Sequence, residues 1–143
     1  MKISPGKIFP LVVLTFLTGF FYISSDAAAE EGSIIKIEAP GGKIPEGITI
    51  YPQSLTVEKN VIVIWLNTLV DDELNILFDQ GKQTKAATLN PSGFDLTNDG
   101  VYAAKYLPFV ATASLRFVKP GIYTYRVISQ NTKFEAKGTI TVP

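Results

Sequence analysis

The stretch KPGIYTYRVISQNTKFEAKGTITV, residues 119–142, decides the fold of this chain. A turn at Pro120-Gly121 precedes a run in which Tyr123 and Tyr125 alternate with other residues, and a second run ends in GTITV. Such short alternating runs between turn residues predict two β-strands that form a hairpin. Tyr123, two residues after the turn glycine, has the position of a tyrosine corner, whose hydroxyl ties down a Greek-key crossover.

The rest of the chain after residue 32 also has a β pattern, with no long helix and no repeat. The run VIVIWLN, residues 61–67, is apolar on both faces and predicts a central strand with Trp65 in the core, paired with LNILF at 74–78. Asn67 ends that strand, where a side-chain hydrogen bond would brace the following loop. The fold class is therefore predicted as an all-β Greek-key β-sandwich of about seven or eight strands. The predicted strands are residues 33–38, 48–51, 54–57, 61–67, 74–78, 101–106, 113–118, 122–129 and 134–142.

Residues 79–109 form a long excursion in which turn-forming residues dominate. One short strand is predicted in it, at 101–106. Its apolar anchors are Phe94, Tyr102, Tyr106 and Phe109. These rings form either a satellite core beneath the loop or a face that binds a partner.

Residues 1–29 have the pattern of an export leader. Two lysines precede an apolar run at 8–23, and small residues at Ala27 and Ala29 fit a signal-peptidase site. The alternative is an uncleaved N-terminal anchor, because the run nearly reaches spanning length. No cysteine follows the run, which excludes a lipoprotein anchor. We therefore expect a signal peptide at 1–29 and a periplasmic or secreted bacterial domain at 30–143 that does not itself insert into the membrane.

Composition excludes several kinds of chemistry. The 143 residues include no cysteine and no histidine, so disulfides, thiol nucleophiles, a Ser-His-Asp triad and a blue-copper centre are absent. The 13 basic and 13 acidic residues balance, and no basic patch for nucleic acid stands out. With 46% hydrophobic residues the chain has enough apolar content for one packed domain.

Two segments resemble the cupredoxin family. LTVEKNVIVIWLN, residues 55–67, looks like the family's early strand pair, and the segment at 119–142 looks like its closing hairpin "PGxYxYxCxxHxxxxMxGxIxV". The resemblance implies four copper-ligand positions. Leu74 stands at the first histidine, Val127 at the cysteine, Gln130 at the second histidine and Ala136 at the axial methionine. A blue-copper site needs one thiolate and two imidazoles, so the resemblance implies the fold without the copper. We expect Leu74 and Val127 to pack where the metal would lie, with Gln130 nearer the surface.

The run Asp71-Asp72-Glu73 is the one clustered acidic segment, and it precedes Leu74. It is a solvated polar loop, a charged rim for docking a protein, or a site for a hard cation such as Ca²⁺. An enzyme using carboxylates such as Asp71, Asp72 or Asp95 is a further alternative, but nothing singles out a catalytic pair. We expect no enzymatic activity and no cofactor.

These observations together predict an exported, metal-free cupredoxin-like module that binds a protein of the cell envelope. The alternative is an electron-transfer or copper-carrier protein of the plastocyanin or azurin type that uses a non-standard or shared site. Asp71, Asp72, Glu73, Phe94, Tyr102, Tyr106 and Phe109 are the candidate interaction residues.

Overall fold

The structure is a computed structural model that describes residues 32–143, so the predicted leader lies outside the described residues. The described chain forms eleven strands, one short helix, and two 3-10 turns at Pro40–Gly42 and Ile44–Glu46. The strands are β1 Gly32–Glu38, β2 Thr49–Tyr51, β3 Ser54–Thr56, β4 Ile62–Asn67, β5 Leu74–Phe78, β6 Thr88–Ser92, β7 Asp95–Leu96, β8 Tyr102–Leu107, β9 Thr112–Phe117, β10 Gly121–Ser129 and β11 Glu135–Val142. The helix is α1, Gly81–Ala86.

The strands form two sheets that pack face to face. One sheet has the order β2-β1-β4-β9-β6 and the other the order β3-β11-β10-β5-β8-β7. Most pairs are antiparallel, but β1 lies parallel to β4 and β3 lies parallel to β11. The predicted all-β sandwich is confirmed, and the two strands that were not predicted are β6 and β7.

Alternation along the long strands builds the core between the sheets. Strand β4 turns Val63, Trp65 and Asn67 inward, and β10 turns Tyr123 and Tyr125 inward. Trp65 is fully buried, as predicted, and Phe78, Phe94 and Tyr125 surround it with ring centroids 5.3–5.9 Å from its own. Edge-to-face packing of this kind adds stability beyond the burial of apolar area.

The predicted pairing of β4 with β5 is wrong. Strand β4 pairs with β1 and β9 in the first sheet, whereas β5 pairs with β10 and β8 in the second. Both strands have strong β patterns, but periodicity does not specify which partner a strand takes. The connection at 68–73 crosses between the sheets, so the two strands belong to opposite layers of the sandwich.

The excursion at 79–109 contains more structure than predicted. It holds α1, β6 and β7 in addition to β8. Four of the five β6 residues are exposed, so the strand is held by its backbone pairing with β9 and has no alternating pattern to reveal it. Helix α1 begins at Gly81, where a Cβ would overlap the backbone of Gly100 and Tyr102. Among the described residues, no helix has the length and apolar character to span a bilayer.

The tyrosine corner predicted from the closing hairpin is present. The Tyr123 hydroxyl donates a hydrogen bond to the backbone oxygen of Lys119 at 2.8 Å, across the turn that precedes β10. Burial raises the pKa of the Tyr123 hydroxyl. The bond fixes the end of the sandwich opposite the site described next.

Candidate interaction site

Three loops meet at one end of the sandwich, and we call this end the loop pole. They are residues 68–73 between β4 and β5, residues 108–111 between β8 and β9, and residues 130–134 between β10 and β11. The four positions that resemble copper ligands lie in or next to these loops, as do the acidic run and two of the four rings considered above. The sandwich therefore brings most of the candidate site residues to one end.

Apolar side chains fill the interior beneath the loop pole. Leu74 and Val127 are completely buried, and Ala136 is half-buried against the core. Val127 lies directly opposite Ala136 in the β10–β11 register, and Leu74 lies opposite Ser129 in the β5–β10 register. Opposite residues of antiparallel strands have Cβ atoms about 4.5–5.5 Å apart on the same face. Leu74, Val127 and Ala136 therefore continue the core and offer no donor atom to a metal.

Asn67 braces two of the loops from inside. Its side-chain nitrogen donates to the backbone oxygens of Asp72 at 2.9 Å and Leu107 at 3.0 Å, and its side-chain oxygen accepts from the amide of Leu69 at 2.8 Å. Its own carbonyl accepts from the amide of Val110 at 2.8 Å. Because Asn67 is fully buried, these bonds are shielded from water. The predicted loop brace is confirmed.

Asn131 joins the third loop to the acidic run. Its side chain donates to the backbone oxygen of Asp71 at 2.9 Å, and its backbone amide donates to Oδ1 of Asp72 at 3.1 Å. The amide of Gln130 donates to the backbone oxygen of Glu73 at 2.8 Å. Gln130, at the position of the second copper histidine in the resemblance, is half-buried at the edge of this junction.

Ser129 closes the third loop at its base. Its hydroxyl makes a short hydrogen bond with the Thr132 hydroxyl and accepts another from the amide of Phe134 at 3.2 Å. The backbone amide of Ser129 also donates to the carbonyl of Phe134 at 2.9 Å. These bonds fix the path of the loop from both ends.

Four large apolar side chains remain exposed at the loop pole. They are Val70, Tyr106, Phe109 and Val110, with 57%, 62%, 48% and 62% of their surface accessible. Tyr106 and Val110 have left-handed backbone conformations, with φ of 56° and 66°. For a β-branched residue such as Val110 this conformation costs about 1–2 kcal/mol. Strain of this kind clusters at functional sites in proteins.

Some predicted interaction residues are not accessible, and these predictions need correction. Phe94 and Tyr102 are 4% and 2% exposed, because the excursion folds back and buries both rings in the core. Asp72 is 3% exposed rather than solvated, because the loop at 130–134 packs over it. Tyr106 and Phe109 are exposed, as a binding face requires.

The acidic run Asp71-Asp72-Glu73 is not part of a larger acidic cluster in the described residues. Asp71 and Glu73 are exposed on either side of the buried Asp72. Asp95 lies in β7, opposite Ala103, on the edge of the second sheet. Among residues 32–143, no three acidic side chains converge in an arrangement that could hold a metal ion.

Charged groups on the outer face of the second sheet form a separate feature. Arg126 makes a two-pronged hydrogen bond to Asp79, with Nε–Oδ2 and Nη2–Oδ1 distances of 2.7 Å each. This hydrogen bond lowers the pKa of the Asp79 carboxyl and raises the pKa of Arg126. Arg126 also lies 3.5 Å from a carboxylate oxygen of Glu135. Arg126, Asp79 and Glu135 therefore pair with one another on the sheet face, apart from the loop pole.

Sequence reasoning missed Val70, Val110 and Asn131. Val70 and Val110 are valines outside any strand pattern, which is the one available signal of their exposure. Asn131 gave no signal beyond a polar turn, because its role depends on where the 68–73 loop lies. All three become evident only when the loops are brought together.

The class of the protein follows from the two sheets, the tyrosine corner and the filled ligand positions. It is a β-sandwich of cupredoxin-like fold, and the four positions that the sequence resemblance assigns to copper ligands carry leucine, valine, glutamine and alanine.

Comparison with known proteins adds amicyanin as a structural neighbour. No family model and no curated protein matches the chain. An oxidised methionine-to-lysine variant of amicyanin has 18% identity and a TM-score of 0.48, covering 78% of this chain and 82% of its own. The Cu(I) form of a methionine-to-glutamine variant has 17% identity and a TM-score of 0.48, covering 82% of this chain and 87% of its own. Because the sequence identities and TM-scores of these matches are low, the fold is described from the strand pairing of this chain alone.

Proposed function

We propose that this protein is an exported, metal-free cupredoxin-like module that binds another protein of the cell envelope through its loop pole. The observation that carries the proposal is the chemistry of the pole itself. Its interior is filled with Leu74, Val127 and Ala136, while Val70, Phe109 and Val110 are exposed above it. The donors of a copper centre are replaced, and the apolar surface that remains is suited to contact with a protein.

The strained backbone of Val110, in the loop at 108–111, also supports a protein-binding role for the loop pole. Val110 holds a left-handed conformation that asparagine or glycine would adopt at lower cost, and its side chain makes the pole more apolar. Asn67 holds this loop with backbone and side-chain hydrogen bonds, so the strain is stabilised by the surrounding structure. A rigid, exposed apolar group loses little conformational entropy when a partner covers it.

The test compares three single variants of the full chain, expressed with its N-terminal segment and cross-linked in intact cells. Phe109→Ser removes an exposed ring, and Val110→Asn removes an apolar side chain while relieving backbone strain. Ile122→Ser is the matched control, because Ile122 is 70% exposed and lies seven residues from the pole end of β10, about 23 Å along the strand. All three variants should fold, and Val110→Asn should be at least as stable as the native chain.

A partner that uses the loop pole should be recovered about tenfold less with Phe109→Ser and with Val110→Asn, and equally well with Ile122→Ser. Equal recovery of every cross-linked protein by all variants would refute the proposed surface. The metal-free part is tested separately by titrating the purified protein with Cu(I) and Cu(II). Tight one-to-one copper binding would instead favour the copper-carrier alternative.

A further inference from the structure

Only one of the two oxygens of the buried Asp72 carboxylate accepts a hydrogen bond within the described chain. Its Oδ1 accepts a hydrogen bond from the backbone amide of Asn131 at 3.1 Å. Its Oδ2 is also buried and accepts no hydrogen bond from residues 32–143. Buried carboxylates in proteins are normally paired or hydrogen-bonded at both oxygens, because an ionised oxygen shielded from water is costly. The free oxygen therefore indicates a missing donor.

The neighbours of Asp72 in the sequence add negative charge, and no cation of the described chain forms an ion pair with it. Asp71 and Glu73 flank it in the sequence, and Asn131, which packs over it from the 130–134 loop, contributes neutral amide groups. Lys133, the cation of that loop, makes no ion pair with Asp72. No ion pair with Asp72 is formed anywhere in the described part of the chain. A positively charged donor would therefore be attracted both by the free oxygen and by its two acidic neighbours.

A shallow cavity of 510 Å³ adjoins this carboxylate. It is lined by Asp71, Asp72, Glu73, Pro108, Phe109 and Asn131. One water occupies about 30 Å³ in the liquid, so the cavity has room for a whole side chain. One wall is acidic and the other is apolar, with the Phe109 ring available to pack against the alkyl stem or cationic group of a long basic side chain.

We propose that this cavity receives an arginine or lysine side chain of a protein partner, with its cationic group bonded to Oδ2 of Asp72. The inference rests on the proposed function and names the chemistry of the partner at that surface. A hard metal ion fits less well, since it needs six or more oxygens and the acids that line the cavity do not form a group that could hold a metal ion within residues 32–143. Because Oδ2 is shielded in the free protein, binding includes a small outward rotation of the carboxylate.

The experiment uses nuclear magnetic resonance on the ¹⁵N-labelled protein, purified after expression of the full chain. The probe is the blocked peptide acetyl-Leu-Arg-Leu-amide, and its matched control has citrulline in place of arginine. Citrulline keeps the shape and most donors of arginine but has no charge. The reporters are the backbone amides of Asp72 and Asn131, because the Asn131 amide donates directly to the Asp72 carboxylate.

The arginine peptide should shift both amides in a saturable way, and the citrulline peptide should bind at least about tenfold more weakly. Asp72→Asn should weaken arginine-peptide binding by a similar factor, and Glu58→Gln, at an exposed acid in the turn before β4, should not. The peptide comparison needs no protein variant, so it holds even if Asp72→Asn folds poorly. Equal binding of both peptides, or no binding of either, would overturn the inference.

A calcium titration tests the remaining alternative, in which the Asp72 carboxylate binds a hard cation. Saturable shifts of the same two amides with CaCl₂, in the absence of peptide, would assign the carboxylate to a hard cation and overturn the inference. Failure here is distinguishable from failure of the proposed function. If cross-linking still depends on Phe109 and Val110 while the arginine peptide does not bind, the loop pole docks a partner without a cation at Asp72.

Discussion

Gly138 lies beneath the ring of Tyr125, and replacing it with alanine should destabilise the sandwich. The two residues are directly opposite each other in the β10–β11 register. A Cβ on Gly138 would overlap the hydroxyl end of the Tyr125 ring. The ring has little freedom to move, because Trp65 and Phe78 pack against it with centroids 5.5 Å away in each case.

Two opposing terms set the size of the effect. Forcing an extra carbon into a packed core costs about 1–3 kcal/mol, and the blocked ring places Gly138→Ala in the upper part of that range. Alanine restricts the unfolded chain more than glycine does, which returns about 0.4–1 kcal/mol. The free energy of unfolding should therefore fall by about 1–2 kcal/mol.

Urea unfolding followed by tryptophan fluorescence measures this change, because Trp65 is the single tryptophan and is fully buried. With an m-value of about 2 kcal/mol/M, the midpoint should fall by about 0.5–1 M. Lys137→Ala, on the exposed neighbouring position, should change the free energy by less than about 0.5 kcal/mol. An unchanged or higher midpoint for Gly138→Ala would show that the ring yields and that the close packing is not limiting.

Three further substitutions test the other structural claims. Tyr123→Phe removes the hydrogen bond to Lys119 and should lower the free energy of unfolding by about 0.5–1.5 kcal/mol, and an unchanged thermal midpoint would contradict the corner. Asn67→Ala leaves three buried backbone partners unsatisfied and should cost about 3–5 kcal/mol by urea unfolding; a loss below about 1 kcal/mol would show that water replaces the brace. Asp79→Asn removes the ion pair with Arg126, whose partly exposed geometry limits its contribution to less than about 1 kcal/mol. Because the folded pKa of Asp79 is lowered, that contribution is present above the unfolded value of 3.8 and is lost as the pH falls through the folded pKa. The stabilities of the variant and the native protein should therefore differ at neutral pH and converge once the pH is below the folded pKa.

The buried surroundings of the Tyr125 hydroxyl determine its protonation state. Burial raises the pKa of its hydroxyl to about 12, an effect partly offset by the nearby indole N–H of Trp65. The two groups nonetheless fall outside hydrogen-bond geometry, and neither has another partner in the described chain. The hydroxyl therefore stays protonated over the physiological range.

The strands that sequence predicted best are those with strong local signals. The bounds of β5 are those predicted, and β4, β9 and β10 begin or end within one residue of the prediction. Alternating or continuous apolar runs between turn residues determine these strands, largely independently of their neighbours. The closing hairpin and its tyrosine corner depend on the same short-range signals.

What sequence did not predict depends on contacts between distant segments. Strand β6 contains Pro91 and exposed residues, and it exists because β9 offers it a pairing edge. Asp72 stands in an acidic run that is typical of a solvated loop, and it is buried by a segment some 60 residues later in the chain. Phe94 gave the signal of an apolar anchor, but only the folded excursion decides that it faces the core.

The position of β11 within its sheet governs when this domain can fold. The last strand lies between β3 and β10, with β3 contributed by a segment more than 80 residues earlier. Until β11 is available, β3 has no partner in its own sheet and the outer edge of β10 stays open. The entropy of closing such long loops is lost before the pairings yield any contact, so folding should be slow. A chain growing from its N-terminus should therefore stay without its final architecture until its closing hairpin emerges.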